Sequence, residues 1–213
     1  FIGWKSFVDD PAGKPLKSNS GKIEIYCQQR YDLMASYGYP GVEQYKPYPT
    51  YVTPCVGYES TFKDGKIGGE KGDYPFIMYN PHYLRRSHTV FDNCPWLRET
   101  WANPVFVSRE DAKAKGISDG DTVLISTPAG KGLRRAAVLD ILLPGVVGVP
   151  HGAWVDVDEK TGIDRAGSDN YLIGAEYGGF GVSGYNNQIC NIEKYTGDAL
   201  EPDCEWPQRI VNA

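Results

Sequence analysis

The chemistry-bearing residues of this chain gather in one eight-residue stretch, His82-Tyr-Leu-Arg-Arg-Ser-His88-Thr89, which holds two of its three histidines. It follows the apolar run Tyr74-Pro-Phe-Ile-Met-Tyr-Asn80 and precedes Trp101-Ala-Asn-Pro104. A strand that ends in Asn-Pro and opens into His, two Arg, Ser, His and Thr brings cationic and neutral hydrogen-bond donors to one strand end. That suits a phosphate-bearing ligand. Arg86 can fork onto two phosphate oxygens, and neutral imidazoles can donate or accept. The plainer alternative is a solvated loop whose arginines face water. The third histidine opens His151-Gly-Ala-Trp154 beside another strand end, where a structural hydrogen bond at a turn competes evenly with a ligand role. Three histidines also invite zinc, but nothing in the sequence brings His151 to the other two, and no metal ligand set is assigned.

Other chemistries are excluded by spacing. Ser126 and Ser183 lack the strand-to-helix Gly-x-Ser-x-Gly setting of a hydrolase. The glycine-rich segment 174–184 lacks a following amphipathic helix or a Lys-Ser/Thr pair, so neither a Walker nor a Rossmann loop is supported. No catalytic residue is assigned. Cys27, Cys55, Cys94, Cys190 and Cys204 stand singly, which disfavours an iron–sulfur or zinc cluster and suggests unreactive core thiols. A net charge of −5 and a pI near 5.2 argue against nucleic acid or anionic membrane as a general partner. The longest apolar stretch, 136–150, is broken by Asp140, Pro144 and Gly145 and falls short of the roughly 20 residues a membrane helix needs. The start at Phe1-Ile-Gly-Trp resembles neither a signal peptide nor an initiation site, so the chain is expected to be part of a longer one.

The elements that must position these residues follow from periodicity. Residues 1–20 form a lead-in, and Lys22-Ile-Glu-Ile-Tyr-Cys-Gln28 alternates as a half-buried strand would. From Tyr37 to Gly72 the density of Tyr, Pro and Gly predicts an ordered, irregular wrapping arm. Strands are expected at 74–79, 122–127, 133–139, 146–149 and 188–195, with a glycine-rich hairpin turn at Pro128-Ala-Gly-Lys-Gly132. Cys94 begins a short helical turn. Ser108 caps a helix over Arg109–Lys115 that leaves through Gly116. Many short strands and few helices predict a closed barrel, with a lead-in and arm at 1–72 and the barrel domain at 73–213.

Several motifs occur in a fixed order: His82 with Arg86, His88 and Thr89 four, six and seven residues on; Asp111-Ala-Lys-Ala-Lys-Gly-Ile117; Asp119-Gly-Asp121; Pro144-Gly-Val-Val147; and His151-Gly-Ala-Trp154. Together with Pro15-Leu-Lys-Ser-Asn-Ser-Gly-Lys-Ile-Glu-Ile-Tyr26, they resemble the C-terminal part of the catalytic subunits of the dimethyl sulfoxide reductase family. Thr89 stands where that family has Ser. Gly167-Ser-Asp-Asn-Tyr-Leu172 resembles its Gly-Gly-x-x-Asn-x-Leu, with Ser168 departing from the second Gly, and Asn187 matches a looser position.

The resemblance implies a mainly β fold, a double-psi β-barrel with short peripheral helices and a long irregular N-terminal arm. It implies molybdopterin guanine dinucleotide as cofactor, contacted by His82, Arg86, His88, Thr89, His151, Asn170 and Asn187. The molybdenum ligand and any iron–sulfur cluster are expected in parts outside this chain, so the chain alone should not turn over substrate. Implied partners are the remaining domains of the same subunit and an iron–sulfur electron-transfer subunit, with no nucleic acid and no direct membrane insertion, on the exported side of the membrane. Relatives on this scaffold run oxygen-atom transfer or non-redox hydration and transhydroxylation, and fold does not choose between them. The competing expectation is a stand-alone barrel of the aspartate-decarboxylase or chaperone-ATPase N-domain kind, acting as a binding module.

Overall fold

A computed structural model describes residues 1–38, 42–174, 184 and 186–202. The described chain divides into two compact units, Phe1–Thr53 and the residues from Pro54 onward. The expected boundary lay at 72/73; residues 54–72 instead belong with the barrel.

Among the described residues the first unit holds two short helices, α1 (Lys5–Asp9) and α2 (Gln28–Ser36), and a 3-10 turn, Val42–Gln44. The strand expected at 22–28 does not form. Ile23 and Ile25, its intended buried face, are 65% and 70% exposed, and among the described residues no strand pairs with the segment. Alternation specifies a face but cannot supply the neighbouring ladder that makes a strand stable. Downstream, Gln, Arg, Leu, Met and Ala favour helix, a Gln28–Asp32 hydrogen bond of 2.8 Å spans one turn, and Gly38 leaves with a left-handed φ of 67°.

The second unit is mainly β. Its strands are β1 (Phe76–Tyr79), β2 (Pro104–Ser108), β3 (Thr122–Ser126), β4 (Lys131–Leu139), β5 (Val146–Gly148), β6 (Val157–Asp158), β7 (Ile163–Asp164) and β8 (Gln188–Lys194). Six of them close a ring in the order β1-β5-β2-β4-β3-β8 and back to β1. The pairs β1–β5 and β2–β4 run parallel and the other four antiparallel. This is the double-psi β-barrel expected, with short helices at its edge, and closure removes the exposed strand edges an open sheet would leave. β2 had not been anticipated: a five-residue apolar run after Pro cannot be assigned by periodicity alone. Inward-facing Phe76, Met78, Val105, Val107, Val123 and Val147 pack the interior.

Around the barrel, α3 (Pro95–Thr100) follows Cys94 and α4 (Arg109–Lys115) forms as its caps require. The Ser108 hydroxyl accepts from the Asp111 N–H at 3.0 Å, and Gly116 exits at φ 64°. α5 (Asp169–Leu172) is one turn. In 54–72, the 3-10 turn Tyr58–Thr61 packs on β1 and β8, and Lys71 Nζ sits 3.8 Å from the Phe62 ring centroid. Of the four described cysteines only Cys190 is fully buried, with burial pushing its thiol upward, while Cys55 is exposed, contrary to the expectation of core thiols throughout.

The most consequential core residue is charged. Arg134 lies on the inward face of β4, opposite Val123, with no solvent exposure. Its guanidinium donates to the carbonyls of Pro104 (3.0 Å), Pro150 (2.7 Å) and Gly167 (2.9 and 2.6 Å). Burial pushes its pKa down to about 9, which still leaves it charged at neutral pH. Arg134→Leu is expected to destabilise the fold by roughly 3 to 5 kcal/mol, because three buried carbonyls lose their donor. A urea-unfolding difference below about 1 kcal/mol would show that the three segments hold without it. Ser108→Ala should cost about 1 kcal/mol in the same assay through loss of the helix cap.

Candidate functional site

The three histidines meet because two parallel strands end alike. In β1–β5 pairing Tyr79 lies opposite Gly148, and the ladder continues past the strand ends: Val149 N–H donates to Tyr79 C=O at 2.9 Å and His151 N–H to Pro81 C=O at 3.2 Å. In that register Pro81-His82 runs beside Pro150-His151. The rings of His82 and His151 consequently stand 4.2 Å apart, centroid to centroid. His88 completes the cluster at 5.0 Å from His151 and 5.5 Å from His82. The one sequence trace of His151 approaching the others is the repeated Pro-His at the ends of two β-branched or apolar runs, which residue spacing alone does not connect. Among the described residues no group of three or more His, Cys, Asp or Glu is arranged to hold a metal ion.

His88 is held in an unusual backbone. Ser87 and Val90 exchange both backbone hydrogen bonds (3.2 and 2.9 Å), so His88-Thr89 form a two-residue turn, and His88 takes the left-handed φ of 52°. Glycine ordinarily fills that position. The segment 151–154 grips the turn from the other side: a Cβ on Gly152 would fall 1.8 Å from the His88 carbonyl oxygen, and Trp154 donates Nε1–H to Thr89 C=O at 2.9 Å. Three residues of His-Gly-Ala-Trp thereby have a defined role. His151 supplies a ring, Gly152 lets the turn approach, and Trp154 ties it down.

Arg86 does something other than expected. Its guanidinium is 1% exposed and donates to Asp92 Oδ1 through Nε (2.8 Å) and Nη2 (2.5 Å), and to Asn103 Oδ1 through Nη1 (3.0 Å). It is therefore not displayed as an open fork for phosphate. Burial pushes the Asp92 carboxyl upward, but Arg86, the Trp154 N–H and Arg85 together outweigh it and hold the group below the usual carboxylate range. Residue type had shown the donors Arg86 carries; it could not show that Asp92, six residues on, takes them.

Asn170 is exposed beside Asp169, whose carboxylate accepts from Gly152 N–H at 2.8 Å, so the loop bearing Asn170 is fastened directly to the histidine segment. Thr89 is exposed in the turn itself. Asn187 is exposed just before β8, which runs antiparallel to β1 with Gln188 opposite Met78, at the same end of the barrel. Its contacts among the described residues do not join it to the histidines. Most of the expected glycine-rich segment 174–184, and Cys204, lie outside the described residues.

The site is better suited to the edge of a hydrogen-bonding heterocycle than to a bare phosphate. Burial, and then the nearness of His82, depress His151 below its ordinary pKa, so at neutral pH it is an uncharged ring with one donor and one acceptor. Asn80 Oδ1, at the end of β1, is buried without a hydrogen-bond partner among the described residues. An orphaned acceptor, the uncharged His151 ring with the imidazoles of His82 and His88 beside it, and exposed Asn170 fit a pterin's alternating N–H and C=O edge. A separate hollow of about 460 Å³, lined in part by Arg135, Arg165, Asn103 and Ala166, contains none of the histidines, and Arg135 and Arg165 already donate to backbone carbonyls.

Residues 76–181 match the family described as molydopterin dinucleotide binding domain, and the chain belongs to that family. It is 36% identical over 176 residues to dimethyl sulfoxide reductase DmsA of Escherichia coli K12, covering 80% of this chain and 20% of that protein. To trimethylamine-N-oxide reductase of Pasteurella multocida it is 35% identical over 205 residues, covering 91% and 23%. The chain thus spans about a fifth of the length of these relatives. In fold it matches acetylene hydratase from Pelobacter acetylenicus with a TM-score of 0.61 at 18% identity, over 87% of this chain and 25% of that one.

Two outcomes follow from the geometry. His88→Gly relieves a left-handed backbone and should stabilise the fold by about 1 kcal/mol in urea unfolding, while removing a ring from the site; a loss of stability would show that the ring's contacts outweigh the strain. For His151, whose native pKa lies below its unfolded one, the unfolded state binds more protons as pH falls, so stability is lost on acidification below the ordinary histidine range. His151→Asn should flatten that fall between pH 7 and 5 when melting is followed by circular dichroism, and superimposable profiles would refute it.

Proposed function

We propose that this chain is the cofactor-clamping domain of a molybdenum oxidoreductase catalytic subunit, holding the pterin end of a molybdopterin guanine dinucleotide at the mouth of the barrel. The observation that carries it is the triple-histidine cluster built by in-register Pro-His strand ends and a strained turn. His82, His88 and His151 would hydrogen-bond the heterocycle, with Asn170, Thr89 and Asn187 along the same rim. Arg86 serves the site from beneath, by fixing the loop through Asp92. When bound, the cofactor supplies oxygen-atom and two-electron chemistry, and the chain supplies binding, orientation and electrostatics.

The activity of the whole enzyme is read from the dimethyl sulfoxide and trimethylamine-N-oxide reductases to which the chain is similar. On the same basis we propose the remaining domains of that subunit and an iron–sulfur electron-transfer subunit as partners, on the exported side of the membrane. Among the described residues no helix is long and apolar enough to cross a membrane.

The test uses the complete subunit. Wild type should carry molybdenum and release pterin and GMP on acid hydrolysis. The His82→Ala/His88→Ala double variant should keep its circular dichroism spectrum but lose cofactor roughly tenfold or more, since each lost hydrogen bond contributes on the order of 1 kcal/mol. Absence of pterin from wild type, or full cofactor in the variant, would refute the assignment.

A further inference from the structure

Strand alternation continues through the mouth of the barrel. On β1, Phe76 and Met78 face the apolar core, and the next residues of the same parity are Asn80 and His82; on β5, Val147 and Val149 are followed by His151. Because the ladder persists to Pro81 and His151, Asn80 forms the first polar layer between the apolar interior and the histidine pair. Its Nδ2 donates to Val149 C=O at 3.3 Å, an arrangement only the amide nitrogen can make, which fixes the carboxamide's orientation. Oδ1 is then the buried acceptor with no partner among the described residues. Such an atom costs free energy unless a donor arrives.

We propose that Asn80 is a further cofactor-contacting residue, its carboxamide oxygen accepting a hydrogen bond from an N–H of the pterin beneath the histidine pair. The inference rests on the reading that this domain binds the cofactor at the barrel mouth. It gives the site a floor that discriminates among heterocycles: a ring edge presenting N–H there satisfies Oδ1, and one presenting a carbonyl does not.

Asn80→Leu removes the orphaned acceptor at nearly constant volume. In the 213-residue chain without cofactor, the variant should unfold at a urea concentration close to that of wild type, because relief of the orphaned acceptor offsets the loss of the Nδ2 bond to Val149 C=O. In the complete subunit it should retain cofactor roughly five- to tenfold more weakly, measured as pterin and GMP released per protein after dilution. Asn80→Asp, which keeps an acceptor at that place, should hold more cofactor than Asn80→Leu. If Asn80→Leu markedly weakens the cofactor-free chain, or if Asn80→Leu and wild type retain cofactor equally, Asn80 is structural and the inference falls. Wild type without pterin would instead overturn the underlying assignment as well.

Discussion

A guanidinium without access to water is tolerated only where fixed dipoles replace its hydration, and in this barrel three backbone carbonyls do so for Arg134. Those carbonyls belong to the start of β2, the residue before His151 and the loop before Asn170. One side chain thereby sets the spacing of three segments that share no strand ladder with one another at that point. The irregular backbone of the barrel mouth leaves N–H and C=O groups that must be paired somewhere, and buried side-chain charges do the pairing. Asp164, also fully buried, accepts from the N–H groups of Asp156, Ala166 and Ser168. Asn103 bridges Arg86 to the Ala166 carbonyl.

This frame explains how the site can hold a strained residue. His88 at φ 52° and Phe91 at φ 76° occupy backbone regions that cost L residues free energy. Both lie between Arg86 and Asp92, whose buried ion pair closes the loop at its base. A loop pinned at both ends by a charge-assisted bond, and gripped from the side by Trp154, can be kept in a conformation that it would not choose alone. The strain then orients an exposed imidazole toward two others instead of leaving it in solvent.

Much of the barrel was legible in the sequence because its signals are local. Ser108, Asp111 and Gly116 specify a helix by their caps, and the β3–β4 hairpin follows from β-branched runs around a glycine-rich turn. Lys22–Gln28 carried an equally regular pattern and failed, because a strand needs a partner that alternation cannot name. The site divides the same way. Residue types at 82–89 marked the right loop, but which donor faces the ligand and which is spent internally depends on Asp92, Asn103 and Trp154, whose positions follow only from the fold. Arg134 left a trace: in Leu133-Arg-Arg135 within an apolar strand, one arginine of the doublet must point inward.

Charge balance decides what the mouth of the barrel can recognise. Arg85, Arg86, Arg98 and Arg134 are all buried around it, and so are Asp92, Asp164 and Asp169, four cations against three carboxylates. The one surplus buried cation is set against a chain at −5 overall, so long-range attraction of an anion to the mouth is weak. Recognition there has to come from short-range, directional groups. Imidazoles and a carboxamide are such groups, and they distinguish ring edges by the order of donors and acceptors. A phosphate, which offers only acceptors, would use half of what this cluster provides.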